Sequence, residues 1–314
     1  MPLFEDFYYD SSTGKNRIHA RKCIPDTPPR AVIQIAHGIA EHINRYDDFM
    51  NYLARNGFLA VGNDHLGHGQ SIEAPANKGF FAAKNGWSYA VKDMVLLHGI
   101  MKKEYPDIPY VIFGHSMGSF LTRTYIIDYP EKYDAVIISG TGQQAKGLVA
   151  AGHAMASAAT LLCGPHKVGN ALNNIAFGSY NDGFENPRTP FDWLSRDESS
   201  VDKYIADPLC GFAATVSLYR DMMGGIKYIG NQKNINKMSK DKPVYFMSGA
   251  ADPVGDNGKG VEKAYKAFLK AGLKDVFMRL YPDGRHEMLN EINKDAVYSD
   301  ILNWLNEKLD RLKA

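Results

Sequence analysis

The sequence has little of what would place it outside ordinary globular proteins. It contains three cysteines, Cys23, Cys163 and Cys210, in 314 residues. That is too few for a disulfide framework, and an odd number leaves one unpaired, so free thiols are expected. No Cys-x-x-Cys pair or zinc-type Cys/His spacing occurs, and no metal is expected. Basic and acidic residues nearly cancel, 36 Lys and Arg against 35 Asp and Glu. Without a basic excess, a nucleic-acid partner is not expected. No run reaches the ~18 consecutive apolar residues of a membrane span. The opening residues, MPLFEDFYYDSS, carry acids where a secretion signal needs a positive segment and then an apolar one. A cytoplasmic protein is therefore expected, with transient contact at a membrane surface left open.

What is present is enough apolar material for a sizeable core: 45% of residues are hydrophobic and 23% charged, both ordinary for globular domains. Short apolar runs at 31–36 (AVIQIA), 58–62 (FLAVG), 110–114 (YVIFG) and 135–139 (AVIIS) suit strands buried on both faces of a parallel sheet. Between them lie helical stripes, Tyr46, Phe49, Met50 and Leu53, then Ala90, Met94, Leu97 and Met101. Two further strand–helix units follow. The first is 243–247 with Val261, Tyr265, Phe268 and Leu269, the second 276–281 with Val297, Ile301, Trp304 and Leu305. Residues 4–9 and 17–22 are expected to pair as an antiparallel ribbon on the sheet edge.

This alternation implies an α/β fold with a mostly parallel central sheet and helices on both faces. One interval breaks the rhythm. Ile138 and Val244 are too far apart for a single crossover, and the intervening residues read as helical. A helical cap at 145–225, inserted into a core formed by 1–144 and 226–314, is expected. It would cover the crevice at the C-terminal ends of the strands, where open α/β sheets bind ligands.

Gly114-His115-Ser116-Met117-Gly118 is a GxSxG string between the strand YVIF and the helical stretch SFLTRTYII. A nucleophile elbow has this context: a sharp turn presents the serine hydroxyl, and glycines relieve clashes with neighbouring elements. Ser116 is therefore the candidate nucleophile, and it requires a base. Downstream of the elbow stand only His153, His166 and His286. His286 follows the last predicted strand in the loop PDGRHEML, and is preferred because the other two lie in the insertion. The acid belongs after the preceding strand, where SGAADPVGD offers Asp252 first and Asp256 next, while Asp283 lies nearer His286. Asp252 is favoured, as the holder of the imidazole tautomer. The N–H groups of Met117 and of Ile39, in the loop HGIAEH, are the candidate oxyanion donors. His37, His42, His65 and His68 are expected to make buried hydrogen bonds around the elbow.

With these segments in hand, the chain resembles the monoglyceride lipase and lysophospholipase family of α/β-hydrolases. The resemblance rests on HGIAEHINRY (His37 to Tyr46), DHLGHGQS (Asp64 to Ser71), GHSMG, the SGAADPVG turn and RHEMLNE around His286. The stretch FDWLSRDESSVDKYIADPLCGF (Phe191 to Phe212) looks like that of bacterial members. At matching positions the resemblance implies a triad of Ser116, Asp252 and His286 with oxyanion donors Ile39 and Met117, and no cofactor. The expected reaction is carboxylic ester hydrolysis through an acyl-enzyme on Ser116. The expected substrate is a monoacyl lipid, a monoacylglycerol or lysophospholipid, with Leu148, Val149, Met155, Leu161 and Leu162 lining a greasy tunnel. A short-chain carboxylesterase with the same triad is the alternative, a non-catalytic ligand-binding protein a more distant one, and an acceptor other than water a third. Neither the oligomeric state nor the head group follows from sequence.

Overall fold

A computed structural model describes residues 1–313, with side chains for residues 1–309. In chain order the elements are β1 (Leu3–Asp10), β2 (Arg17–Ile24), β3 (Val32–Ala36), α1 (Asp47–Arg55), β4 (Leu59–Asn63), α2 (Gly86–Glu104), β5 (Tyr110–His115), α3 (Met117–Asp128) and β6 (Ala135–Ser139). Five helices follow, α4 (Lys146–Cys163), α5 (Asn170–Phe177), α6 (Glu198–Ala206), α7 (Val216–Ile229) and α8 (Gln232–Ile235). The chain then returns to the sheet with β7 (Val244–Gly249), α9 (Lys259–Lys270), β8 (Val276–Tyr281) and α10 (Lys294–Lys313).

The eight strands form one sheet in the order β1-β2-β4-β3-β5-β6-β7-β8. β1 and β2 pair antiparallel, β2 is antiparallel to β4, and the rest are parallel. Strands β3 to β7 are buried along their whole length, because their alternate side chains feed two separate cores. Val32, Ile112, Val136 and Phe246 point into the layer with α2, α3 and α9. Ile33, Val111, Ile137 and Tyr245 point into the layer with α1 and α10. This is the physical origin of the unbroken apolar runs. β8, at the edge, alternates in burial instead. On α9, Val261 and Phe268 are buried but Leu269 is 42% exposed, since it falls beyond the helix stripe that meets the sheet.

The chain passes from β3 out to β4, then back across to β5 on the other side of β3. That reversal makes the C-terminal ends of β3 and β5 the switch point, the place where open α/β sheets bind ligands. Ala36 is in register with Gly114, so the loop after β3 and the turn after β5 emerge side by side. Helices α4 to α8 lie between β6 and β7, and α7 packs on both α4 and α3. Residue 225 lies inside α7. Among the described residues, no helix is long and apolar enough to cross a membrane.

Candidate active site

Ser116 occupies the turn between β5 and α3 with φ 54° and ψ −122°, a conformation that costs an L-residue energy and persists only where its surroundings impose it. The flanking glycines show how tight the turn is. A Cβ at Gly118 would stand 2.0 Å from the Ala36 carbonyl oxygen, and one at Gly114 2.3 Å from Thr122 Oγ1. Neither position admits a side chain. The Ser116 N–H donates to the Ser139 carbonyl at 3.1 Å, anchoring the turn to β6.

His286 lies in the loop after β8 and Asp252 in the loop after β7. The loops are joined where the Ala251 N–H donates to the Gly284 carbonyl at 2.9 Å. Nδ1 of His286 stands 3.0 Å from each carboxylate oxygen of Asp252, and both residues are buried. Asp252 is held in turn by the Val254 N–H at 2.9 Å and the Ser248 hydroxyl at 3.1 Å. Burial pushes the His286 pKa down, but the Asp252 carboxylate outweighs it, so the imidazole titrates above its ordinary value. Neighbouring His115 is held at about 4 by burial and by His286, and stays neutral. Asp256 and Asp283 sit at positive φ, 52° and 57°, as turn residues. His166 stacks on Phe80, with ring centroids 3.8 Å apart.

Ser116 and His286 line one pocket of about 220 Å³ together with Gly38, Ile39, Phe177 and Trp193. Among the described residues no hydrogen bond joins the Ser116 hydroxyl to the imidazole. Since Asp252 occupies Nδ1, Nε2 is the nitrogen left to receive a proton. The backbone hydrogen bonds of the two loops leave the N–H groups of Ile39 and Met117 without a protein acceptor among the described residues. Both residues flank Ser116 in the wall of an adjoining apolar chamber of about 510 Å³. Leu148, Val149 and Met155 of α4 line that chamber as the sequence suggested. Leu161 and Leu162 do not: they are 85% and 82% exposed. Leu161 faces away from Leu148 around the helix, and Leu162 stands ~10 Å farther along the axis than Met155.

The loop His37 to Glu41 is shaped by a network that sequence reasoning quoted as a motif without assigning it work. Glu41 accepts the Gly38 N–H and the Tyr46 hydroxyl on one oxygen and Arg45 on the other. Arg45 also forks onto both oxygens of Glu287 at 2.7 Å. The attraction outweighs burial, so Glu287 titrates at about 2. A Cβ at Gly38 would stand 2.7 Å from Glu41 Oε1 and 3.1 Å from the Ser116 Cβ. The signal was available in sequence as a Glu, Arg and Tyr at fixed offsets from the glycine, but not its partner Glu287. The expected buried histidine bonds are found in part. His37 Nε2 accepts the His65 N–H at 3.0 Å, while its Nδ1 donates to the Gly38 carbonyl at 2.7 Å. Burial lowers the pKa of His37, and that of His68 to about 4, so both are neutral. Both ring nitrogens of His65 are buried without a partner.

A family model described as serine aminopeptidase, S33, matches residues 27–293. The chain belongs to this family. Within reach of it lie curated relatives of nearly the same length. A monoacylglycerol lipase of Mycolicibacterium smegmatis is 28% identical over 90% of this chain and 90% of its own. A monoglyceride lipase of Rattus norvegicus is 26% identical over 91% of this chain and 85% of its own. Among solved structures, a thermostable carboxyl esterase from Bacillus coagulans superposes with a TM-score of 0.91, at 26% identity over 98% of this chain and 99% of that one. The eight-stranded sheet with helices on both faces is thus an α/β-hydrolase fold, and the matched span of this family member runs from the approach to β3 to the start of α10.

Proposed function

We propose that this family member hydrolyses the ester bond of monoacylglycerols, through an acyl-enzyme on Ser116. His286 Nε2 takes the proton of the Ser116 hydroxyl as its oxygen attacks the ester carbonyl, and Asp252 holds the imidazole and stabilises the imidazolium. The oxyanion of the tetrahedral intermediate receives the N–H groups of Ile39 and Met117. The alcohol then leaves with the proton from His286, and water, deprotonated by the same nitrogen, releases the fatty acid. No step requires a metal or cofactor.

The observation that carries this reading is the imidazole of the Asp252–His286 pair lining one pocket with the strained Ser116, next to two backbone N–H groups that no protein acceptor among the described residues takes. The substrate class is supported by the apolar chamber beside Ser116 and by relatives named monoacylglycerol and monoglyceride lipase. A short-chain carboxylesterase is not favoured, because a small acyl group would leave most of that chamber unfilled. We further assign 145–225 as a cap over the strand ends. Its exposed side chains Leu148, Leu161, Leu162 and Ile175, 66 to 85% exposed, are the surface through which it would touch a lipid aggregate.

A panel of glycerol monoesters of graded chain length, a lysophospholipid and an acetyl ester tests the reading on purified protein, alongside fluorophosphonate labelling. Preference for long-chain glycerol esters and labelling lost in Ser116→Ala are expected. A strict preference for acetyl esters would remove the lipid assignment. Labelling or turnover that survives Ser116→Ala would remove the mechanism.

A further inference from the structure

Beside the pocket, where the loop after β3 meets the turn after α6, one side chain of that loop converges with two from the turn. Nε2 of His42 lies 2.8 Å from Oδ2 of Asp207. Sγ of Cys210 joins them, and one ligand atom from each of the three residues lies within 4.8 Å of the other two. We propose that His42, Asp207 and Cys210 form a binding site for a zinc-like divalent cation that clasps the loop carrying Ile39 to the inserted segment.

The donor set is one imidazole, one carboxylate and one thiol, which suits zinc or cobalt and is a poor match for magnesium or calcium. Zinc holds such ligands at 2.0–2.3 Å, so ligand atoms around a tetrahedral ion stand roughly 3.3–3.8 Å apart. Reaching that geometry opens the 2.8 Å His42–Asp207 contact by about half an ångström and draws the Cys210 sulfur, within 4.8 Å of the other donors, closer by up to about 1 Å. Three protein ligands leave the fourth position to water.

The turn is built to present its two donors together. The Cys210 N–H donates to the Asp207 carbonyl at 3.0 Å, and the Leu209 N–H donates to Asp207 Oδ1 at 2.8 Å. Oδ1 is thereby occupied and Oδ2 is the oxygen turned to His42. The turn already grips the loop after β3. The Ala40 carbonyl, one residue past Ile39, accepts the Gly211 N–H at 3.0 Å and the Tyr204 hydroxyl at 3.1 Å.

Charge favours a cation. Arg45 pairs with both Glu41 and Glu287, a cluster with one net negative charge, and Asp207 adds a second. Cys210 lies within the field of all four groups. On binding, the Sγ–H bond of Cys210 breaks, its proton passes to solvent, and the sulfur electron pair forms the bond to the metal. His42 coordinates through Nε2 with its ring proton on Nδ1. No ligand is shared with the hydrolytic residues.

Cobalt(II) and zinc(II) titrations of the full chain test this. The expected result is one equivalent bound, with a thiolate-to-cobalt charge-transfer band in the near ultraviolet. Cys210→Ser should abolish the band and weaken zinc, measured against a chromogenic chelator, by more than the roughly 10–100-fold that loss of an outer-shell partner costs. Cys163→Ser, which alters the exposed thiol on α4, should change neither. Circular dichroism separates loss of a ligand from loss of the fold, and Asp207→Asn, at a partly exposed position, repeats the test if Cys210→Ser unfolds. No band in the parent protein, or a band that disappears with Cys163→Ser and survives Cys210→Ser, overturns the assignment. Each outcome is read independently of ester turnover.

Discussion

Both carboxylate oxygens of Asp252 lie 3.0 Å from Nδ1 of His286. The imidazole is thus fixed in one tautomer before any substrate arrives. Asp252→Asn would let a side-chain amide hold the other tautomer, with a proton on Nε2 where a lone pair is needed. Turnover is expected to fall roughly 10³–10⁴-fold with little change in KM. Steady-state kinetics on a monoester check this, and a loss below tenfold would take Asp252 out of the machinery.

In the proposed mechanism the same pair sets the pH dependence. The base works only when neutral, and Asp252 raises its pKa despite burial. As pH falls through the raised value the imidazole becomes charged and kcat/KM declines. The acid limb should therefore have its midpoint above the ~6.5 of an ordinary histidine. In Asp252→Asn it should move to lower pH. A parent midpoint below the ordinary value would contradict the assignment.

At Gly38 a methyl group would stand 2.7 Å from Glu41 Oε1 and 3.1 Å from the Ser116 Cβ. Glu41 cannot retreat freely, because Tyr46 and Arg45 hold it. Gly38→Ala should displace the Ile39 N–H and cost turnover about 10²–10³-fold, the usual loss for one oxyanion donor. Parental kcat in this variant would show that the loop does not position that donor.

Arg45 is the shared cation of two buried carboxylates, so Arg45→Met leaves both uncompensated. A stability loss of ~3–5 kcal/mol is expected, seen in denaturant unfolding at neutral pH. The parent has a related acid response. Glu287 titrates at about 2 when folded and near 4.3 when unfolded. Its contribution is full above the unfolded value and is lost as pH drops toward 2. A parent protein equally stable at pH 2.5 and 5 would rule out this linkage.

Chain-length preference should respond to the walls of the apolar chamber. Met155→Trp, at a lining position, is expected to cut activity on long-chain monoesters severalfold while sparing short ones. Leu161→Glu with Leu162→Glu, both outside the chamber, should lower hydrolysis of substrate carried in vesicles and leave soluble esters unaffected. Equal losses on both substrate forms would remove the lipid-surface role.

The elements that the sequence reads most clearly are those whose signals are local. Residues such as Val111, Ile112 and Phe113 form an unbroken apolar run because a buried parallel strand feeds cores on both faces, and GHSMG between such a run and a helical stripe marks the elbow. Leu161 and Leu162 were misplaced because hydrophobicity along α4 does not say which side meets the pocket. Glu287 went unassigned because its partner Arg45 is 242 residues away, and no periodicity links them.

By itself, then, the sequence determined the alternation of strands and helices and the strained serine turn, since each depends on neighbours a few residues apart, and it singled out Asp252 and His286 by their places after successive strands. Tertiary structure alone decided that the Asp252 carboxylate meets Nδ1 of His286, that Glu41 and Arg45 brace the loop of Ile39, and that His42 lies beside Cys210. These are contacts between loops whose separation in sequence bears no relation to their separation in space. They arise only once the sheet has set the spacing of the strand ends from which those loops emerge.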